Sequence, residues 1–244
     1  SLIVAGAKAK VVLVEKHRMG GDCLYTGCVP SKSIIRSGRI MSYIRRAADY
    51  GIVDAAGKVD FAAVMQRVQG VIETIEPHDS PERFTSLGVE CVSGTARLIS
   101  PYEVEVDGKI ITTESIVIAS GARPFVPHVP GLADIDYLTS DNVWSLTELP
   151  PRLLVVGGGP IGCELAQAFS HLGSKVTQVD MAARIMPRED EDVSAAVSAR
   201  FLEHGIDLLT GHKLLKFETV DGEHFMEAEH EGSTVRIAFD RVLL

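Results

Sequence analysis

The stretch Leu153-Leu154-Val155-Val156-Gly157-Gly158-Gly159-Pro160-Ile161-Gly162, followed by a helical run to Leu172 and by Lys175-Val176-Thr177-Gln178-Val179-Asp180, leaves few folds open to this chain. An apolar run ending in Gly-x-Gly-x-x-Gly, then a helix, a second apolar run and an acid about twenty residues past the glycines, spells a βαβ dinucleotide-binding unit. Gly157 permits the tight turn, Gly159 lets a pyrophosphate approach the backbone, and Gly162 lets helix and strand pack closely. Pro160 and Ile161 lie at the helix start, where unpaired N–H groups face phosphate. Asp180 is placed to accept hydrogen bonds from both ribose hydroxyls and to repel a 2′-phosphate, which favours NAD over NADP; Arg184 lies close by.

The second strand and its acid have an echo. Lys10 to Glu15 (Lys-Val-Val-Leu-Val-Glu) repeats the pattern of Lys175 to Asp180. At the same offset, the glycine loop of the first copy falls ahead of Ser1. At the other end the chain stops at Arg241-Val242-Leu243-Leu244, inside another apolar run that reads as a buried strand. The expectation is an α/β protein cut at both ends, with a partial first dinucleotide domain (1–130) and a second (131–244) joined near the proline-rich piece Pro124 to Gly131.

Between the two copies stands Gly20-Gly21-Asp22-Cys23-Leu24-Tyr25-Thr26-Gly27-Cys28-Val29-Pro30-Ser31-Lys32. Residues five apart on a regular helix point away from each other, so joining Cys23 to Cys28 needs a loop or a distorted first turn. Gly20, Gly21 and Gly27 give that freedom. Pro30 suits the first turn of a helix that continues through Ile34, Ile35, Met41 and Ile44. Cys28 is therefore expected near a helix N-terminus, where the macrodipole and Lys32 favour a thiolate, and the pair reads as a redox-active dithiol. Half a zinc site and a structural disulfide are the competing readings. The only other cysteines, Cys91 and Cys163, stand alone and read as packed core, and nothing else in the sequence looks secreted.

Elsewhere, Asp60 caps a helical run from Phe61 to Ile75 that Pro77 ends, and Pro81 to Leu87 reads as a short helix closed by Gly88. Strands are expected at Val89–Val92, at Glu103–Val106 and Ile110–Thr112 around Asp107-Gly108, and as a buried strand at Ile116–Ala119. Asp192 to His204 reads as a helix, followed by strands at Ile206–Leu209, around Phe217, at Phe225–Glu229 and at Thr234–Phe239. The eight histidines form no ligand spacing, and most read as solvent-facing; no metal site is expected. A net charge of -9 with scattered Lys and Arg argues against a nucleic-acid surface, and no apolar run approaches membrane-spanning length. Four cysteines without a framework spacing suit a reducing cytoplasm.

At the dithiol segment the sequence resembles the class I pyridine nucleotide-disulfide oxidoreductases, the flavoenzyme family of dihydrolipoamide dehydrogenase, glutathione reductase and mercuric reductase. The match runs in order through Glu15, the cysteine motif, Ala119-Ser120-Gly121, the glycine fingerprint and Asp180. The resemblance implies two Rossmann-like domains with an antiparallel β-meander. FAD would lie at Glu15, Gly21, Asp22, Lys32, Ala119, Ser120 and Gly121, and near the turn at Gly94-Thr95-Ala96; NAD would lie at Gly157 to Gly162 and Asp180. It further implies that NADH reduces FAD, that the flavin opens a Cys23–Cys28 disulfide through Cys28, and that Cys23 then attacks a small disulfide or binds a soft metal ion. Lys32 and Glu164 would be a charge pair beside the flavin. A homodimer is implied when a C-terminal domain outside this sequence is present. Two other classes stay open: a non-catalytic nucleotide-binding remnant, and a thiol-independent NADH dehydrogenase or diaphorase on the same scaffold. Asp22 and Tyr25-Thr26 depart from the residues usual in the family's motif.

Overall fold

The computed structural model describes all 244 residues. Its helices are α1 (Leu2–Gly6), α2 (Gly21–Tyr25), α3 (Cys28–Arg45), α4 (Phe61–Ile75), α5 (Pro81–Ser86), α6 (Pro160–Leu172) and α7 (Glu191–Glu203). Its first strands are β1 (Val11–Glu15), β2 (Val89–Ser93), β3 (Ala96–Ser100), β4 (Glu103–Val106), β5 (Lys109–Thr112), β6 (Arg152–Val156) and β7 (Lys175–Val179). The remainder are β8 (Asp207–Leu209), β9 (Lys213–Val220), β10 (Glu223–His230), β11 (Ser233–Phe239) and β12 (Arg241–Leu243). The chain forms two compact units: residues 1–28 with 70–122, and residues 29–69 with 123–244.

In the first unit β1 and β2 pair in parallel, Val11 opposite Val89 and Glu15 opposite Ser93. The antiparallel β3-β4-β5 meander follows. Asp107 and Gly108, with φ of 48° and 82°, make the left-handed two-residue turn that joins β4 to β5, as their sequence requires. The expected strand at Ile116–Ala119 is not formed: the run carries no strand, and Val117 and Ile118 are 87% and 71% exposed. An apolar run becomes a strand only by hydrogen-bonding to a neighbour, and no strand lies beside this one. Conversely, β3 was not expected from the sequence, and its Leu98 and Ile99 are both exposed. Its extended form is set by pairing with β4.

The second unit contains a four-stranded parallel sheet in the order β12-β6-β7-β8. Numbered by first appearance this is 4-1-2-3, one half of a doubly wound dinucleotide-binding sheet. Leu153, Leu154 and Val155 are buried at 1% exposure or less, as expected for a strand covered on both faces. On α6 the buried positions Leu165, Ala166, Phe169 and Leu172 recur at helical spacing. Each large side chain so buried contributes roughly 1.5–3 kcal/mol. The antiparallel sheet β11-β10-β9 supplies Phe217, Met226, Ala228 and Phe239 to a core shared with Leu132, Ile135, Leu154, Val179 and Val242.

Helix α3 lies in this unit from Val29 onward and packs on α6 at Gly38. A Cβ there would sit 3.1 Å from the Ala168 carbonyl oxygen and 3.2 Å from the His171 Cβ, so any larger residue would push the helices apart by a few tenths of an ångström. Most of the histidines were expected to face solvent, but His171 and His212 are buried, at 9% and 8% exposure. His171 faces α3 across this contact, and His212 stacks on His230 with ring centroids 4.1 Å apart. Partners distant in sequence bury both.

Candidate active site

The dithiol segment begins with two left-handed residues, Gly20 (φ 115°) and Gly21 (φ 64°), which swing the chain into the five-residue helix α2. Cys23 sits in α2, and Cys28 opens the 18-residue α3. The break between the helices is what the spacing demands, because an unbroken helix would turn the two cysteines apart. Gly27 is required there: a Cβ would lie 2.9 Å from the Asp22 carbonyl oxygen and 3.3 Å from Cys23 Cα. The Thr26 amide closes the turn by donating to the Asp22 carbonyl at 2.9 Å. Leu24 is buried while Cys23 and Cys28 are exposed. Lys32, exposed, follows Cys28 by one turn of α3.

Also in the first unit, an Asp22 carboxylate oxygen comes within 3.0 Å of where a Cβ on Gly121 would stand. The fold thus brings together Asp22 and the Ala119-Ser120-Gly121 segment, all exposed. Ala96, the first residue of β3, is exposed. Glu15 ends β1, and its carboxylate accepts the His17 amide at 2.9 Å.

The glycine fingerprint has the geometry its residues imply. Gly157 has φ of 119°. A Cβ on Gly162 would stand 2.5 Å from the Gly157 carbonyl oxygen, whereas one on Gly159 would meet nothing within 4 Å, leaving open the side from which a phosphate approaches. Pro160 is the first residue of α6 and Ile161 is 63% exposed, so the helix start is open to solvent. Asp180 accepts the Gly158 amide at 2.5 Å through one carboxylate oxygen and the Ala182 amide at 2.6 Å through the other. Each oxygen keeps a lone pair for a ribose hydroxyl. These residues fit a dinucleotide.

The two acids share a local design that sequence alone did not reveal. Glu15 and Asp180 each accept the amide two residues on. The backbone carbonyls of both are bonded from the exit of the next strand in their sheet, by the Gly94 amide at 3.0 Å and the His212 amide at 3.0 Å. The repeat is therefore one of hydrogen bonding as well as of residues.

Glu164, exposed, lies in the second turn of α6. It precedes Ala168, and Lys32 precedes Gly38, by about 6 and about 9 Å of helix respectively. Each charge stands N-terminal to the contact along its own helix, and no ion pair joins the two. Sequence reading missed Gln178, 1% exposed, whose amide donates to the Gly157 carbonyl at 2.8 Å and holds the glycine turn from beneath; its Oε1 is buried without a partner. Its place on β7 opposite the glycine loop was the available signal. Cys163 is buried as expected, and burial raises its thiol pKa above the ordinary value. Cys91 is only half-buried.

Residues 2–244 match the family model described as pyridine nucleotide-disulphide oxidoreductase. The chain is 34% identical over 236 residues to a mercuric reductase of Staphylococcus aureus, covering 97% of this chain and 43% of that protein. It is 31% identical over 242 residues to a dihydrolipoyl dehydrogenase of Acholeplasma laidlawii, covering 97% of this chain and 70% of the relative. Among solved structures, the HOCl-induced flavoprotein disulfide reductase RclA of Escherichia coli superposes with a TM-score of 0.82 at 26% identity, over 99% of this chain and 52% of that one. The chain spans less than half the length of the mercuric reductases it matches.

Proposed function

Because the chain belongs to the pyridine nucleotide-disulphide oxidoreductases, we propose that it is the electron-relay portion of an FAD-dependent NADH:disulfide oxidoreductase whose working group is the Cys23–Cys28 dithiol. The observation that supports this most is the dithiol turn itself: two exposed cysteines, the second opening a long helix, on a turn that only glycine at 27 can make.

In this reading 1–130 is the FAD-binding domain and 131–244 the NAD-binding domain. FAD and NADH, when bound, supply the hydride chemistry. The N–H groups at the start of α6 hold the dinucleotide phosphates, and Asp180 fixes the ribose. Arg184 donates to the Pro187 carbonyl at 3.2 Å within its own loop, which supports a preference for NADH over NADPH. Glu15, Gly21, Asp22, Ala96 and Ala119 to Gly121 hold the flavin nucleotide. Cys28, which opens α3, would be the cysteine that faces the flavin, and Cys23 the interchange thiol. Lys32 and Glu164 would be the charged groups that tune the cofactor chemistry.

The acceptor is a small disulfide or a soft metal ion, the two chemistries a thiolate pair serves. The test is made in the full-length protein. Cys23→Ser and Cys28→Ser are each expected to retain the flavin spectrum and NADH binding and to lose at least a hundredfold in NADH-driven reduction of dihydrolipoamide's disulfide form, glutathione disulfide or mercuric ion. Full turnover in either variant would remove the dithiol. Quinone reduction surviving cysteine alkylation would point to a diaphorase, and absence of bound flavin to a nucleotide-binding remnant.

A further inference from the structure

Tyr25 lies between the two cysteines and is tied down from three directions. Its hydroxyl is 2.9 Å from Glu76 Oε1 and 2.9 Å from the Met19 carbonyl oxygen. The Arg18 guanidinium stands 3.9 Å over its ring and donates to the same Glu76 oxygen at 2.7 Å. All four residues belong to the first unit. The hydrogen bond to Arg18, then that to Tyr25, holds the Glu76 carboxyl below the usual range. Burial, then Glu76, holds the Tyr25 phenol above its own. At neutral pH the cluster is thus a protonated phenol facing two acceptors, a carboxylate and a carbonyl, with a guanidinium closing the ring of contacts. Its single proton can serve one acceptor at a time.

The consequence concerns the sulfurs. Of the residues between Cys23 and Cys28, Leu24 is buried, Thr26 bonds back to Asp22, and Gly27 is fixed by close backbone approach. Tyr25 is anchored to a segment distant in sequence, at Glu76 just past the end of α4. We propose that Tyr25, held by Glu76 and Arg18, is a positioning residue that pre-forms the dithiol turn and so favours closure of the Cys23–Cys28 disulfide. Holding two reactants in a fixed turn raises their effective concentration, and releasing the turn lowers it. This inference rests on the dithiol reading given above.

On closure the two thiols lose two protons and two electrons, the S–S bond forms, and oxidised dithiothreitol, opened to its dithiol, takes up both. The full-length protein, Tyr25→Phe and Glu76→Ala are equilibrated across ratios of oxidised to reduced dithiothreitol, quenched in acid, and scored by mass after alkylation at Cys23 and Cys28. Each variant is expected to shift the equilibrium toward the dithiol by about three- to tenfold, the usual worth of one hydrogen bond. The double variant is expected to shift little further, because both changes break one shared contact. A merely structural role would lower the melting temperature and leave this equilibrium at the wild-type value in both single variants, and that result overturns the proposal. A wild-type protein that closes no disulfide at any ratio overturns the dithiol reading and this inference together, whereas closure in wild type with unchanged variants removes only the inference.

Discussion

Acid should weaken the second unit through His171. This imidazole lies in the last turn of α6, 9% exposed, with Nε2 3.1 Å from His204 Nδ1 and the two rings edge to face at 4.4 Å. A helix C-terminus ordinarily favours a protonated histidine by about 0.3–1 kcal/mol. Here burial opposes the charge most strongly, followed by His204, by Arg45 at the end of α3, by Arg46 just after it and by Arg39 of α3, and the pKa is pushed down to about 4 from 6.5. His204 is also lowered, by burial first and then by Arg200, with Glu203 opposing. The folded state therefore binds the His171 proton only near pH 4, while the unfolded chain binds it near pH 6.5. Between these values the unfolded state holds more protons, so stability is complete above pH 6.5 and falls as the pH drops. At about 1.4 kcal/mol per pH unit, the loss reaches about 3 kcal/mol by pH 4. Urea unfolding of wild type and His171→Gln from pH 7.5 to 4.5 measures it. Carboxylates such as Asp240 titrate in both proteins and drop out of the difference. The wild type is expected to lose about 2–3 kcal/mol more than the variant across this range; parallel curves would refute the argument that burial and three guanidiniums outweigh the helix dipole.

Two glycine substitutions separate function from stability. Gly162→Ala puts a methyl 2.5 Å from the Gly157 carbonyl oxygen, and a shift of the glycine turn should weaken NADH binding at least tenfold in fluorescence titration while flavin content holds. Gly131→Ala sets a methyl against the Phe217 carbonyl at a residue with φ of 78°. It should cost the second unit about 2–4 kcal/mol in urea unfolding without touching the dithiol. Gln178→Leu removes the amide that holds the Gly157 carbonyl but also the orphaned Oε1; the NADH KM should rise several-fold with stability changed by less than about 1 kcal/mol, and an unaltered KM would show that the turn holds itself.

Wherever the chemistry depends on local backbone, the residues themselves announced it. The glycine turn before α6, the Asp107-Gly108 hairpin, the α4 start at Asp60 and the helix opening at Cys28 all follow from a few consecutive side chains and their allowed dihedrals, which the sequence states directly. Strand identity in the first unit was less legible, because pairing is a contact between distant segments. Ile116–Ala119 had the composition of a strand and no neighbour, while β3 had a neighbour and little of the composition.

The sequence by itself determined where the nucleotide turn and the dithiol turn lie, since each needs glycine at fixed positions and no later packing can supply that freedom. Only the tertiary structure decided which polar groups brace those turns. Gln178 under Gly157, Tyr25 against Glu76 and Arg18, and His171 beneath the arginines of α3 are meetings between residues far apart in the chain. Hydrogen bonds and charge desolvation depend on distance in space, which no local pattern of residues records.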